Sequence, residues 1–278
     1  MNIAHCLTRT LTVLVFAADA FLSATALAQS PPSDGDSGKW QFAATIYGFI
    51  PTINGTVNYA RDTRSSDFSV SKSDVIDHLK MTFMGALDAH NGSWGVFNDV
   101  LYVNLGGVKS QTRDFSVGNI GLPVGATADL NFGLKATVWT VAGEYRVASD
   151  SAWTVDLLAG ARLLDLKPTL GYSIMGDLGI LPGRSGSKSV SQSDWDAIVG
   201  VKGRYTFGDE RKWFLPFYLD VGTGQTQLTW QAAGGIGYAY SWGEVVALYR
   251  YLDWNAQSGK PIEKLDLGGP MIGVTFRW

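Results

Sequence analysis

The sequence predicts an all-β protein: a single closed antiparallel transmembrane β-barrel of about ten strands. From Trp40 onwards, apolar and polar residues alternate with a period of two, and no long 3.6-residue pattern appears. Charged residues make up 17% of the chain, whereas aromatic residues number 34 (10 Trp, 11 Tyr and 13 Phe), a composition that excludes disorder. Short and long connections also alternate, as turns and loops do in bacterial membrane barrels.

The first 28 residues have the order of a secretory signal peptide. Arg9 precedes an apolar stretch over 11–27, which ends in Ala26-Leu27-Ala28 and resembles a cleavage site. The only cysteine, Cys6, lies in this segment, so the exported chain is expected to contain no disulfide. Residues 29–39 are rich in Pro, Ser, Gly and Asp and predict a flexible leader. The barrel domain is therefore expected over residues 40–278.

Ten strands are predicted from the alternation and the turn signals. They cover 41–58, 80–90, 94–106, 126–147, 152–170, 189–207, 212–222, 227–240, 244–255 and 264–278. Pro51, or a split of the first segment, would change the count to eight or twelve. An even count places both chain termini of the barrel on the periplasmic side. Residues 73–79, with a Ser cap, predict a short helix in the first long loop.

The alternation fits two environments. A secreted soluble ligand-binding barrel would hide its apolar faces inside, whereas a membrane barrel turns them towards lipid. Trp residues near the predicted strand ends favour the membrane barrel, because they would form the two interfacial girdles. They are Trp94, Trp153, Trp195, Trp213, Trp242, Trp254 and Trp278. In a membrane barrel, Trp195, Val199 and Val201 must point outward.

Charged residues on the opposite faces predict a polar lumen. The acids are Asp88, Asp156, Asp194, Asp196 and Asp220, and the bases are Lys135, Arg162, Lys202, Arg204 and Arg250. The register of strand 189–207 is well determined, because a slip by one residue would place Lys202 and Arg204 in lipid at about 2–4 kcal/mol each near the midplane. Asn98 and Asp99 compete for the lumen in the third strand, and Asp99 is favoured.

Two functions are compatible with this lumen. Five acids against five bases favour a paired network that fills a narrow interior, with a structural or interaction role. The alternative is a narrow porin-like channel for small solutes. A net charge of −3 provides no basic excess, so no nucleic-acid partner is expected.

No catalytic, cofactor-binding or metal site is predicted. Beyond the signal segment the chain has two histidines, His78 in the first long loop and His90 beside the Asn91-Gly92 turn, where it is expected to face the periplasm. No nucleophile motif accompanies either. No set of His, Cys and carboxylate residues has metal-ligand spacing, so a zinc site is not expected. The protein is predicted not to be an enzyme.

The end of the chain carries a resemblance. GPMIGVTFRW alternates and stops on an aromatic residue, and it resembles the signal by which the barrel assembly machinery recognises outer-membrane barrels, with Phe276 and Trp278 as its aromatic positions. FMGALDAHNGSWGVFNDVLYVNLGG (83–107) and WDAIVGVKGRYTF (195–207) resemble a family of uncharacterised small outer-membrane β-barrel proteins of Gram-negative bacteria. The resemblance covers most of 40–278 and supplies no catalytic motif. It implies location in the cell outer membrane, with lipid, lipopolysaccharide and the assembly machinery as partners. Oligomeric state is not predicted.

Overall fold

The computed structural model describes residues 38–58, 65–112, 116–117, 120–121, 126–176, 184–189 and 191–278. The predicted signal peptide and nearly all of the leader lie outside the described residues. No helix in these ranges is long and apolar enough to cross a membrane.

The described chain consists of strands and one short helix. The elements are β1 (Trp40–Phe49), β2 (Thr52–Asn58), β3 (Ser65–Val70), α1 (Lys72–His78), β4 (Leu79–Asn91), β5 (Trp94–Thr112), β6 (Ser116–Val117), β7 (Ile120–Gly121), β8 (Ala126–Ser149), β9 (Trp153–Gly176), β10 (Arg184–Ser189), β11 (Gln192–Phe207), β12 (Trp213–Gly224), β13 (Thr226–Ala239), β14 (Glu244–Ala256) and β15 (Ile262–Arg277).

These strands form a closed antiparallel barrel. Around the ring, the order of paired strands is β1, β4, β5, β8, β9, β11, β12, β13, β14 and β15. Strand β1 pairs with both β4 and β15, which closes the ring. Strand β2 continues the first barrel strand after Pro51 and also pairs with β15. Counted over the described ranges, the ring has ten strands, β1 and β2 together forming one. The predicted ten-strand barrel is confirmed, so counts of eight and twelve do not apply.

The chain end completes the closure. The N–H of Phe42 donates to the carbonyl of Trp278 at 2.9 Å, and the N–H of Trp278 donates back at 3.0 Å. The Trp278 ring stacks on Phe42 with centroids 5.8 Å apart, and Phe276 contacts Trp242 on the same outer wall. The two aromatic positions of the predicted assembly signal therefore lie at the seam of the barrel.

Two ends of the barrel are distinguished by their connections. At the end that we call the turn end, β4–β5, β8–β9, β11–β12 and β13–β14 are joined by short turns; the opposite end is the loop end. In one turn, Asp150 Oδ1 accepts the N–H groups of Trp153 and Ala152, each at 2.7 Å, and these bonds lower the pKa of the Asp150 carboxyl. At the loop end, helix α1 begins at a capping box between Ser71 and Asp74. The predicted short helix is confirmed to within one residue.

The outer wall carries an apolar belt between two aromatic girdles. Val199 is 59% exposed and Leu157 is 49% exposed. The girdle at the turn end includes Trp40, Trp94, Tyr145, Trp153, Tyr205, Trp213, Tyr238, Trp242 and Trp278. Towards the loop end, Trp139 packs against Trp195 at 5.7 Å and Trp230 against Tyr251 at 5.0 Å. This pattern is typical of a membrane-spanning barrel, and Trp195, Val199 and Val201 share the outer face as expected. Trp254, expected in a girdle, is buried inside at 2% exposure.

The loop-end half of the barrel has an apolar interior. Its buried side chains include Leu101, Leu105, Leu134, Ala136, Val138, Leu164, Leu166, Leu252, Trp254 and Leu265, and Val75 of α1 packs into the same cluster. In β8, Leu134, Ala136 and Val138 belong to this interior, so the prediction that Lys135 faces the lumen is wrong.

Lys135 consequently lies on the outer face and not in the predicted lumen network. Its side chain is exposed, opposite Lys167 of the neighbouring strand. The register of β8 is set by Thr140 and Glu144, which are buried inside at 1% exposure each. Lys135 is four residues beyond the girdle residue Trp139, towards the loop end, where an outward charge can remain in water.

Candidate functional site: the charged interior

The middle of the lumen contains a fully buried ion pair between Arg162 of β9 and Asp220 of β12. The guanidinium faces both carboxylate oxygens, with Nη1 and Oδ1 at 2.9 Å, and its Nε donates to Thr140 Oγ1 at 3.1 Å. Arg162 is 0% exposed and Asp220 1%. Period-two strands bring both side chains to the same interior layer, and bidentate pairing satisfies the two charges together.

A second buried pair crosses the lumen at Arg250 of β14. Its Nη2 contacts Asp99 Oδ2 at 2.5 Å, and its Nη1 donates to Tyr47 Oη at 2.9 Å. The Tyr47 hydroxyl in turn donates to Asp99 Oδ1 at 2.6 Å, which closes a three-residue ring. Asp99 thus takes the interior position, while Asn98 accepts a hydrogen bond from the indole of Trp139.

Nearer the turn end, three carboxylates converge on His90 of β4. Its Nε2 lies 2.6 Å from Glu144 Oε2, 3.2 Å from Asp88 Oδ1 and 3.8 Å from Asp156 Oδ2. The expectation that His90 faces the periplasm is corrected: it is 5% exposed inside the barrel. The ring packs directly over Gly95, where an added Cβ would come within 2.6 Å of the imidazole.

Two cations complete this group of side chains, which we call the His90 cluster: Asp88, His90, Glu144, Arg146, Asp156 and Lys202. Lys202 Nζ contacts Asp88 Oδ2 and lies 2.5 Å from Glu144 Oε1. Arg146 Nε donates to Asp156 Oδ1 at 2.8 Å. With a neutral imidazole, three carboxylates therefore face two cations.

A further ionic group lies at the turn-end rim. Glu244 accepts from Arg204 Nη1 at 2.6 Å and from Arg277 Nη2 at 2.9 Å. Arg204 also lies 5.1 Å from the ring centroid of Phe214. The predicted lumen base Arg204 is thus inside, and its partner is Glu244, which sequence reasoning did not select.

The two remaining predicted acids lie at the loop end, away from the ionic groups described above. Asp196 accepts the N–H and the hydroxyl of Thr226, both at 2.8 Å, and so holds the β12–β13 turn. Asp194 accepts from Gln192 Nε2 at 2.7 Å and contacts Lys260 Nζ. Asp194 and Lys260 line an open polar cleft of about 480 Å³. Its other lining residues are Gln192, Ser193, Gly224, Gln225, Gln257 and Pro261.

The structure therefore places nine of the ten predicted lumen residues inside, all except Lys135, in separate clusters and not in one network. Sequence reasoning did not select Tyr47, His90, Glu144, Arg146, Glu244, Lys260 and Arg277. A signal for His90 was available, because it lies two residues after Asp88 and so on the same face. Glu144 was missed because Lys135 was predicted to face the lumen, and in a strand with that orientation Glu144 would lie on the lipid face. The basic residues predicted in the outer loops, Lys109, Arg113, Arg184 and Lys188, lie outside the residues whose side chains are described.

Comparisons with known proteins support the fold. No family model and no curated protein matches the chain. Among solved structures, it is similar to the outer membrane protease OmpT from Escherichia coli, with a TM-score of 0.53 and 12% identity over 90% of this chain and 100% of that chain. The translocator domain of the autotransporter NalP from Neisseria meningitidis has a TM-score of 0.38 and 13% identity, over 97% of this chain and 98% of that chain. Ail of Yersinia pestis has a TM-score of 0.28 and 14% identity, over 86% and 98%. The first similarity shows a shared outer-membrane barrel fold.

Proposed function

We propose that the protein is an integral outer-membrane β-barrel with a filled, non-conducting lumen and a structural or interaction role. The observation that carries this proposal is that ion pairs in the interior, one of them fully buried, join nearly opposite strands. Lys202 of β11 reaches Asp88 of β4, and Arg250 of β14 reaches Asp99 of β5. In each pair, the two strands are four positions apart around the ring of ten strands, and diametrically opposite strands would be five positions apart. Such bridges occupy the lumen that a solute would have to cross.

The apolar core forms a second barrier on the loop side of these charges. Leu105, Leu166 and Leu252 are each exposed by 1% or less, and Trp254 by 2%. An ion passing this layer would lose its hydration without gaining polar partners. A channel would therefore need both the ionic layer and the apolar core to open together.

Location in the outer membrane is supported by the apolar belt, the girdles and the shared barrel fold. Outer-membrane lipid and lipopolysaccharide are the surroundings proposed for this belt. The barrel assembly machinery is the partner proposed for the strand that ends at Phe276 and Trp278. An interaction role would use the loop end, where the polar cleft beside Lys260 offers amide and charged groups to a polar ligand.

A non-enzymatic role is part of this proposal. Of the two histidines, His78 Nδ1 contacts the carbonyl oxygen of Asp74 at 3.0 Å, and His90 Nε2 faces the carboxylates of Glu144 and Asp88.

Planar-bilayer recording of the purified, folded barrel tests the proposal. We expect no steady conductance above that of the empty bilayer, with a porin prepared in the same detergent as the positive control. Reproducible unitary currents, with an ion selectivity that changes in Lys202→Gln or Arg204→Gln, would instead establish the porin-like channel. A soluble periplasmic protein that migrates identically boiled and unboiled would contradict the membrane location.

A further inference from the structure

The His90 cluster has the donor geometry of a metal site. The ligand atoms available on Asp88, His90 and Glu144 all lie within 4.8 Å of one another. From His90 Nε2, the carboxylate oxygens of Glu144, Asp88 and Asp156 lie at 2.6, 3.2 and 3.8 Å. A tetrahedral ion with bonds of about 2.0–2.1 Å to nitrogen and oxygen places its ligands roughly 3.3 Å apart. The three distances from Nε2 lie on both sides of that value.

The polar edge of His90 is buried without satisfactory hydrogen bonds. The residue is 5% exposed, and Nδ1 has no hydrogen-bond partner among the described residues. Nε2 has only ion-pair contacts, the shortest of them with Glu144 Oε2 at 2.6 Å. A cation between these groups would satisfy the imidazole and the carboxylate at once.

Neighbouring cations hold the carboxylates in place. Lys202 contacts Asp88 Oδ2 and Glu144 Oε1, while Asp88 Oδ1 and Glu144 Oε2 face His90. Arg146 fixes the Asp156 carboxylate through two hydrogen bonds of 2.8 and 3.2 Å. Partners of this kind orient metal ligands from outside the coordination sphere. The ion would have to displace any proton on His90. Lys202 would remain on the outer oxygens of Asp88 and Glu144, whereas Arg146 would keep Asp156 Oδ1 and share Oδ2 with the ion.

We infer that the turn end of the lumen binds a divalent transition-metal ion of the Zn²⁺ type, with His90, Glu144 and Asp88 as ligands and Asp156 as the fourth. Imidazole and carboxylate donors suit Zn²⁺. The side chains of Asp88 and Lys202 are 26% and 14% exposed, which gives an ion a route from the turn end. Bound there, the ion would join β4, β8 and β9.

Equilibrium dialysis of the folded full chain against Zn²⁺, followed by measurement of bound metal, tests this site. We expect about one Zn²⁺ per barrel, and at least a tenfold weaker affinity in His90→Gln and Glu144→Gln. His78→Gln is the matched control, because His78 lies on the loop-end helix, and it should bind as the wild type does. Heat-modifiable gel migration verifies that each variant is folded.

The proposal is overturned if the wild-type barrel retains no Zn²⁺, or if folded His90→Gln retains as much as the wild type. If neither variant at the site folds, Co²⁺ titration of the wild-type barrel tests whether the metal site exists. A visible absorption band of tetrahedral Co²⁺ that saturates at one equivalent and is displaced by Zn²⁺ supports the site. A wild-type barrel without such a band at saturating Co²⁺ contradicts it.

Discussion

The buried pair between Arg162 and Asp220 provides the sharpest test of the interior. Arg162→Met removes the guanidinium and leaves the Asp220 carboxylate, which is 1% exposed, without its partner. Breaking a buried ion pair by removing one member costs about 3–5 kcal/mol. We therefore expect the free energy of unfolding to fall by about that amount, most of it from the uncompensated carboxylate.

A double variant separates this charge effect from packing. Arg162→Met combined with Asp220→Leu leaves no buried charge, so it should be more stable than Arg162→Met alone. Arg277→Met is the control, since its side chain is 53% exposed, and it should cost less than about 1 kcal/mol. Denaturant unfolding in lipid vesicles, followed by tryptophan fluorescence, measures all four proteins. A loss below about 1 kcal/mol in Arg162→Met, or a double variant as unstable as the single, would refute the reasoning.

Three further predictions concern glycine packing, a turn and the chain end. Gly95→Ala should destabilise the barrel by about 1–3 kcal/mol, because the added Cβ would lie 2.6 Å from the His90 ring. The control Gly48→Ala should be tolerated, because its Cβ would meet nothing within 4 Å. Equal free energies of unfolding for the two variants would contradict this. Asp150→Ala should lower stability at pH 6. The difference from wild type should shrink as the pH falls from the ordinary pKa of an aspartate through the lowered pKa of Asp150, since a depressed carboxyl pKa stabilises the fold only while the carboxyl is ionised. Unfolding measured over a series of decreasing pH values tests this. Deleting 276–278 should reduce the protein in outer-membrane fractions without reducing export, and undiminished insertion would show that the terminal aromatics are dispensable.

The barrel could be predicted from the sequence because charges reveal the inner face wherever the outer face meets lipid. In β11, Asp194, Asp196 and Lys202 alternate with Trp195 and Val199, and only one register keeps those charges out of the membrane. Strand ends and the short helix follow from turn residues and a serine cap. These features are local, so the chain alone determines them.

The His90 cluster could not be predicted in the same way, because its members come from several strands. His90 on β4, Glu144 on β8 and Lys202 on β11 are far apart in sequence, and their approach depends on the stagger between strands. Spacing rules for metal ligands apply to residues on one element or one hairpin, so they do not detect such a set. The pairing of Arg204 with Glu244 was missed for the same reason.

The error in β8 has a different physical cause. Close to the turn end, this strand has Glu144 inside and Tyr145 outside, whereas close to the loop end it has Leu134 inside and Lys135 outside. The polarity of the two faces is thus reversed along one strand. Such a reversal is expected where a barrel leaves the membrane, because lipid no longer surrounds it and the apolar residues pack inside, as in a soluble protein. A prediction that keeps the apolar residues on the lipid face along the whole strand must therefore fail at that point.

This reversal predicts that a charge is tolerated at Lys135 but not in the apolar belt. Val199 is 59% exposed and lies four residues from the girdle residue Trp195 and six from Tyr205, so Val199→Lys would place an ammonium in lipid. Near the midplane this costs about 2–4 kcal/mol, whereas exchanging a charged residue in water beyond the girdle changes stability by about 0.5 kcal/mol or less. Lys135→Leu should therefore unfold at nearly the wild-type denaturant concentration in lipid vesicles, while Val199→Lys should unfold earlier. If Lys135→Leu stabilised the barrel by 2 kcal/mol or more, Lys135 would lie in the membrane, and the boundary at Trp139 would be wrong.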